Sequence, residues 1–426
     1  MRTFSVVWLG QLVSITGTTL TGFGLQLFVF TETGSVTQLS LVSLAFVLPA
    51  VALAPLAGSV ADRFDRRRVM LLSDLAAGVA TLGLFFIYVT GDLELWQIYA
   101  ATAVGASANA FQDPAWMASI TVLVPKSRLG RANGLVQLNR SMSIVLAPAL
   151  AGALLAFSGL GAILLVDAIT FGVGVATLVL VRFPAFERQP GPSRTVRGDT
   201  RFAWDYLKDR PGLLGLLWVY AGVNFTLSAT NVLIIPLIVS FSTETAAGIA
   251  LSAAGAGAVV GSLAVGIWGT PQRKMPTIIG GIAISGLLLA VAGVRAALPI
   301  IMIASVLMLA INPVVNAASN VIWQTKVEEG AQGRVFSLRF MIGRIVSPLA
   351  ILVVGPLADS LFEPAMKVDG PLAGSMGALI GSGPGRGIGL IYVVAGIATV
   401  AIALVGWSLP RIRNIETELP DLAGRE

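Results

Sequence analysis

The stretch from Gly58 to Arg68, Gly-Ser-Val-Ala-Asp-Arg-Phe-Asp-Arg-Arg-Arg, sets six charged side chains between two apolar runs. Each flanking run is long enough to cross a bilayer, so the charges form a short turn at a membrane surface and not a domain. A topology marker needs only basic residues. An acid in this register, Asp62, with Arg63 and Arg66 beside it, is more than such a marker requires. Three further carboxylates, Asp74, Asp167 and Asp359, interrupt apolar runs. Acids in such places are rare and by default mark proton or substrate paths. The chain has no histidine and no cysteine. That excludes His-based triads, His metal sites, thiolate chemistry and the side chain that ordinarily titrates near neutrality. Proton handling must fall to carboxylates.

The elements that position these groups follow from composition. Of 426 residues, 55% are hydrophobic and 12% charged, with a mean hydropathy of +0.85. Soluble domains carry about 25% charged residues. A helical span needs about 20 apolar residues, and helix is the form that satisfies an isolated backbone in lipid. The pattern predicts twelve spans, near 5–30, 36–57, 69–90, 95–114, 134–157 and 160–181, then 213–240, 246–268, 276–294, 299–318, 340–361 and 387–409. The fold class is therefore an all-α integral membrane protein of two six-helix bundles, 1–181 and 213–410. A linker at 182–212 and a tail at 411–426 complete the chain. The linker is rich in Pro, Gly and charge, and its end, Phe202 to Leu214, reads as a short amphipathic helix on the membrane surface. The first apolar run is too long for a signal-peptide core, so no cleaved leader is expected.

With the amino terminus inside, every Lys and Arg of the 28 except Arg295, Lys367 and Arg386 falls on the cytoplasmic side. This positive-inside bias predicts a multi-pass protein of the cytoplasmic (inner) membrane with both termini cytoplasmic. The basic patches then serve topology and contact with membrane lipids. Nucleic-acid binding would need a soluble module with aromatic platforms, and none is expected.

The halves echo each other. Gly58-Ser-Val-Ala61 recurs as Gly261-Ser-Leu-Ala264, and Gly130-Arg131 with Leu135 recurs as Gly333-Arg334 with Leu338, both at an offset of 203. Two matches at one offset, each at a turn after an even-numbered span, indicate parallel repeats. Asp62 becomes Val265 in the second copy, so the scaffold of the turn is shared and its acid is not.

Six plus six spans, a central cytoplasmic loop and Gly-x-x-Ala-Asp-Arg-x-x-Arg-Arg between spans 2 and 3 resemble the major facilitator superfamily. Further features resemble its drug-efflux branch, which includes macrolide exporters and the enterobactin exporter. They are Thr33-Gly34-Ser35, Asp113-Pro114, Val124-Pro125, Arg131-Ala-Asn133 and Gly355-Pro-Leu-Ala-Asp359. Ala147-Pro148-Ala-Leu-Ala-Gly152 lies where the family's exporters carry a Gly-Pro motif, without its first glycine. Asp65 stands where the loop motif usually has glycine, and span 4 lacks the family's arginine. The resemblance implies that Gly58, Asp62, Arg63, Arg66 and Asp113 form a conformational gate. In it Asp62 caps the start of span 11, near Phe340, and Arg66 pairs with Asp113.

Asp74, Asp167 and Asp359 are the candidate proton carriers. Asp74 and Asp167 each lie near a span end, within reach of the interface by snorkelling, and Asp359 lies near Glu363 at the outer end of span 11. In this architecture spans 1, 4, 7 and 10 line the cavity. The candidates there are Gln11, Phe23, Gln26, Asn109, Trp218, Asn224, Asn231, Met308, Asn312 and Asn316. Amides also hydrogen-bond between helices, so any one of these can be packing glue instead. Neutral amides among hydrophobes suit an amphipathic small molecule better than a sugar phosphate. The expected function is secondary active export of hydrophobic or amphipathic solutes by alternating access, as proton-coupled antiport, by a monomer. The alternatives are a lipid or lysolipid translocator and, from another class, a non-transporting sensor or assembly partner. No enzyme constellation, metal site or cofactor motif is present, and no nucleotide-binding Gly-x-x-x-x-Gly-Lys-[Ser/Thr] that would power a pump. The loop from Phe362 to Arg386 is long and rich in Gly and Pro, so it either shields the outer mouth or is a tolerated insertion.

Overall fold

A computed structural model describes residues 2–125, 128–181 and 196–420, and among them the chain is helical with no strand. In the first half α1 (Arg2–Thr33), α2 (Val36–Arg63), α3 (Arg66–Thr90) and α4 (Leu95–Leu123) precede α5 (Leu129–Leu180). The last is two spans in one: Gly159 has φ 75° and ψ −179° inside it. A side chain there would be strained in backbone and would meet the Tyr88 hydroxyl at 3.4 Å. The limbs are 129–158 and 160–180. Next come α6 (Val196–Lys208), α7 (Pro211–Val239), α8 (Glu244–Trp268), α9 (Lys274–Val294), α10 (Leu298–Lys326) and α11 (Glu329–Leu357). A π-helical turn, Ala358–Phe362, and the short α12 (Glu363–Ala365) and α13 (Met376–Ile380) lead to α14 (Arg386–Ser408). Two final short helices are α15 (Pro410–Arg413) and α16 (Ile415–Glu418).

Ten of the described helices are long and apolar enough to cross a membrane, counting 134–180 once. Splitting that helix at Gly159 and adding the 29-residue α4 gives the twelve spans of the sequence pattern. Several run further than expected. α4 ends at Leu123 and α10 at Lys326, while α11 begins at Glu329, well before Phe340. The helix first turn with free amides is therefore at 329–332, and Phe340 lies in the helix interior, contrary to the expected capping position. The amphipathic linker helix is also displaced: it is 196–208, and Pro211 opens α7 at N1.

By contacts the chain falls into two compact units, 1–191 with 242–252, and 192–241 with 253–426. In the first unit α1 lies antiparallel to the second limb of α5 along a glycine seam. Gly10, Gly17 and Gly24 face Thr177, Thr170 and Ile163, one glycine every seventh residue. Built Cβ atoms would stand 2.1, 2.0 and 2.7 Å from those side chains, so the bare positions set the helix separation. In the second unit a similar device joins α9 and α14, where Gly286 faces Gly396 and Gly293 faces Gly389. Gly257 and Gly261 of α8 press on the backbone of α10 at Val306 and Ala310. The repeat is visible in the elements: α4 and α10 have the same length and begin at Leu95 and Leu298, the offset of 203.

The carboxyl end closes the second unit. Ile412 and Ile415 are buried in its core with Leu213 and Leu216. The Glu416 carboxylate accepts from the amides of Lys274 and Met275, capping α9 at 3.1 and 2.9 Å. Lys326, buried at the end of α10, donates to the carbonyls of Glu416 and Leu419.

Candidate functional site

The charged hairpin is largely a capping device. Asp65 accepts from the Arg68 amide at 3.2 Å and so caps α3, which explains an acid where glycine is usual. Arg67 donates from Nε to the Leu178 carbonyl at 2.8 Å and from Nη2 to Val179 at 2.9 Å. These are among the last carbonyls of α5, where a cation is favourable. Arg66 reaches α4, where its Nη1 donates to the Ala118 carbonyl at 2.8 Å. Asp113 is exposed on the same helix, five residues earlier. The expectations for Gly58 and for the side chains of Asp62 and Arg63 lie outside the described residues.

The intramembrane acids separate into two kinds. Asp74 on α3 is fully buried (0% exposed) and Asp167 on the second limb of α5 nearly so (2%). Neither snorkels. Gln112 of α4 donates through Nε2 to Asp74 Oδ1 at 2.8 Å and to Gln11 Oε1 at 3.0 Å, tying α1, α3 and α4 together. Oδ2 of Asp74, Nε2 of Gln11 and Oε1 of Gln112 are buried without a hydrogen-bond partner. A buried unpaired carboxylate costs several kcal/mol, and a proton on Oδ2 would remove the charge and turn one orphan acceptor into a donor. Asp74 Oδ2 stands 3.4 Å from the Cβ that Gly174 lacks, beside Ser14.

Asp167 takes hydroxyl donors only. Thr81 of α3 donates to Oδ2 at 3.2 Å, and Thr170 lies 3.5 Å from Oδ1 while donating to the Asp167 carbonyl at 2.7 Å. Asp359 differs: it sits in the π-helical turn after α11, partly exposed. Its neighbour Glu363 has a structural task, accepting from the amides of Gly385 and Ile388 and so capping α14 at 3.1 and 2.8 Å. The outer loop is thereby pinned to the helix it precedes.

The candidate cavity residues also divide. Gln11 belongs to the Asp74 cluster, and Gln26 accepts from Ser43 at 3.3 Å, an α1–α2 tie. Phe23 is buried and Asn109 borders a small half-open cavity. In the second unit Trp218 is 55% exposed and stands edge-on to Trp204 of α6, which makes it part of that helix's seat. Asn224 faces α11 at Gly343. Asn316 donates to Asn312 Oδ1 at 2.6 Å, Asn312 and Asn231 are exposed, and Met308 is half-buried. Asn109 and Asn312 stand at the repeat offset of 203, so the two copies keep the same amide at the same register of α4 and α10. Sequence reasoning missed Gln112, Thr21 and Thr81. The signal was the stripe Gln11, Ser14, Thr18 and Thr21, spaced by three and four on α1.

Comparison with known proteins agrees with this architecture. The Major Facilitator Superfamily profile matches residues 7–351, and the chain belongs to that family of membrane transporters. It is 25% identical over 363 residues to macrolide efflux protein A of Streptococcus pyogenes, covering 84% of this chain and 90% of that one. It is 23% identical over 344 residues to the multidrug efflux pump Tap of Mycobacterium tuberculosis, covering 77% and 80%. Among solved structures, a bacterial homologue of the human lysosomal transporter Spinster superposes with a TM-score of 0.71 at 15% identity. That match covers 99% of this chain and 98% of the other. The protein is thus a multi-pass membrane transporter and not an enzyme.

Proposed function

We propose that the protein exports hydrophobic or amphipathic small molecules, drugs or secondary metabolites among them, by alternating access and in exchange for protons. The observation that carries the reading is the pair Asn109 and Asn312, neutral amides at one register of both repeats, with Asp113 one turn further along α4 and no charged residue within a turn of Asn312. An exposed amide within a span is disfavoured in hydrocarbon, so Asn312 and Asn231 belong on an aqueous passage. Asn224, Asn316 and Met308 extend this surface in the second unit. Macrolide and multidrug exporters among the relatives support the solute class. Asp74 and Asp167 are the proton carriers best supported by burial, with Asp359 a third. Gly58, Asp62, Arg63, Arg66 and Asp113 form the proposed gate, in a monomer of the inner membrane with both termini in the cytoplasm.

Growth of a deletion strain on macrolides, dyes, siderophores and detergents tests this. Hypersensitivity to amphipathic compounds, restored by the cloned gene, is expected. A wild-type tolerance profile with altered leaflet lipid composition would favour a lipid translocator instead.

A further inference from the structure

Asp167 opens on a half-open cavity of about 50 Å³ in the first unit. Its polar wall consists of Thr18, Thr21, Thr81, Thr102, Asn109 and Asp167, and the remainder is apolar or aromatic. The hydroxyl of Thr102 is buried without a hydrogen-bond partner, and Thr21, only 8% exposed, turns its hydroxyl toward Asp167. Among the described residues no lysine or arginine borders the cavity. The elements packed around it, α1 to α5, carry few ionisable groups between their ends. They are Asp74 and Tyr88 on α3, Tyr99 and Asp113 on α4, and Arg131, Arg140 and Asp167 on α5; of the described residues among these, Asp167 lines the cavity.

We infer that this cavity is a binding site for a small hard monovalent cation, sodium or hydronium, held by the Asp167 carboxylate and the surrounding threonine and asparagine oxygens. Three observations converge on that assignment. The carboxylate is buried and the groups set against it are the hydroxyls of Thr21, Thr81 and Thr170, so an ionised form lacks a compensating charge. Every polar group in the wall offers an oxygen, the donor type that hard cations select. A volume near 50 Å³ accommodates a bare ion with one water, since one water occupies about 30 Å³. Thr18 and Thr81 spend their protons on Ser14 and Asp167, and their oxygens keep lone pairs for a cation. The site's role in coupling rests on the exporter reading: hydronium there agrees with exchange for protons, and sodium would take the proton's place as the exchanged ion.

The test uses the full chain purified in detergent and reads binding without transport. Thermal unfolding is followed as NaCl replaces choline chloride at constant ionic strength, and separately as pH is lowered. Wild type is expected to gain Tm in one of these series, the salt series identifying sodium and the pH series hydronium. Asp167→Asn should abolish the gain in the salt series and leave in the pH series only the part that Asp74 supplies, which Asp74→Asn removes separately. Thr21→Val, which keeps the shape and removes one oxygen, should move the midpoint to about tenfold higher cation concentration. A response that is the same in wild type, Asp167→Asn and Thr21→Val overturns the site, as does a wild type that responds to neither series. Vesicles that fail to export any solute would overturn the exporter reading and leave this binding result standing.

Discussion

Gly17 and Asp167 meet across the α1–α5 seam: a Cβ on Gly17 would stand 2.8 Å from Asp167 Oδ1 and 2.0 Å from Thr170 Oγ1. The bare glycine is what lets a polar, acid-bearing face of α5 lie flat on α1. Seven residues along α3 separate Asp74 from Thr81, which donates to Asp167, so the two buried acids lie about 10 Å apart along the helix axis. The α1 stripe of Gln11, Ser14, Thr18 and Thr21 spans the interval. The first unit thus holds two acids on one polar track.

Gly17→Ala is expected to force the seam apart. Overpacking of this kind costs about 1–3 kcal/mol, and both Tm and the rate of solute export should fall. Gly172→Ala, on the same limb of α5 with nothing within 4 Å of its absent Cβ, should leave Tm nearly unchanged. Equal losses in the two variants would show that the seam is not tight.

Asp74→Asn preserves shape and removes the ionisable group. The variant should insert, fold and equilibrate solute down its gradient, and fail to move solute against one. Counterflow in proteoliposomes reads the first property and uphill transport the second. Uphill transport at the wild-type rate would exclude Asp74 as a carrier.

Arg67→Ala strips two charge-assisted hydrogen bonds from the end of α5. Such bonds contribute roughly 1.5–3 kcal/mol each at most when buried and less where half-exposed, so Tm should drop by several degrees while the solute profile is kept. Asp62→Asn should behave in the opposite way, with normal expression and insertion and reduced transport. A variant at position 62 that transports normally contradicts the gate.

Lys326→Met leaves the carbonyls of Glu416 and Leu419 without their buried donor. The expected cost is about 1–3 kcal/mol, read as a lower Tm and faster proteolysis of the carboxyl-terminal segment. Unchanged protease resistance would mean that Ile412 and Ile415 hold the segment alone.

The spans were legible because hydrophobic length is a one-dimensional property, and Gly159 between two apolar runs marks the break in α5. Their ends were less so. α4 runs through Asp113-Pro114 into the apolar stretch that ends at Leu123. α10 runs on to Lys326, and α11 begins in charged sequence, Glu329 to Arg339, because a helix does not stop at the hydrocarbon boundary. That is why the expected free helix start near Phe340 is in fact an interior turn. The acids were legible as residues and their partners were not: Gln112 and Thr81 reach Asp74 and Asp167 from other helices, and helix rotation is not encoded by hydropathy. Asp65 reads in sequence as a departure from a motif and in three dimensions as a helix cap.

The most direct measurement of the account is efflux of a macrolide or amphipathic dye from proteoliposomes holding the purified chain, with an imposed pH gradient. The account predicts solute movement against its own gradient that stops when an ionophore collapses the proton gradient, and that Asp74→Asn abolishes. Solute flux that is identical with and without the gradient, in wild type and variant alike, would contradict it.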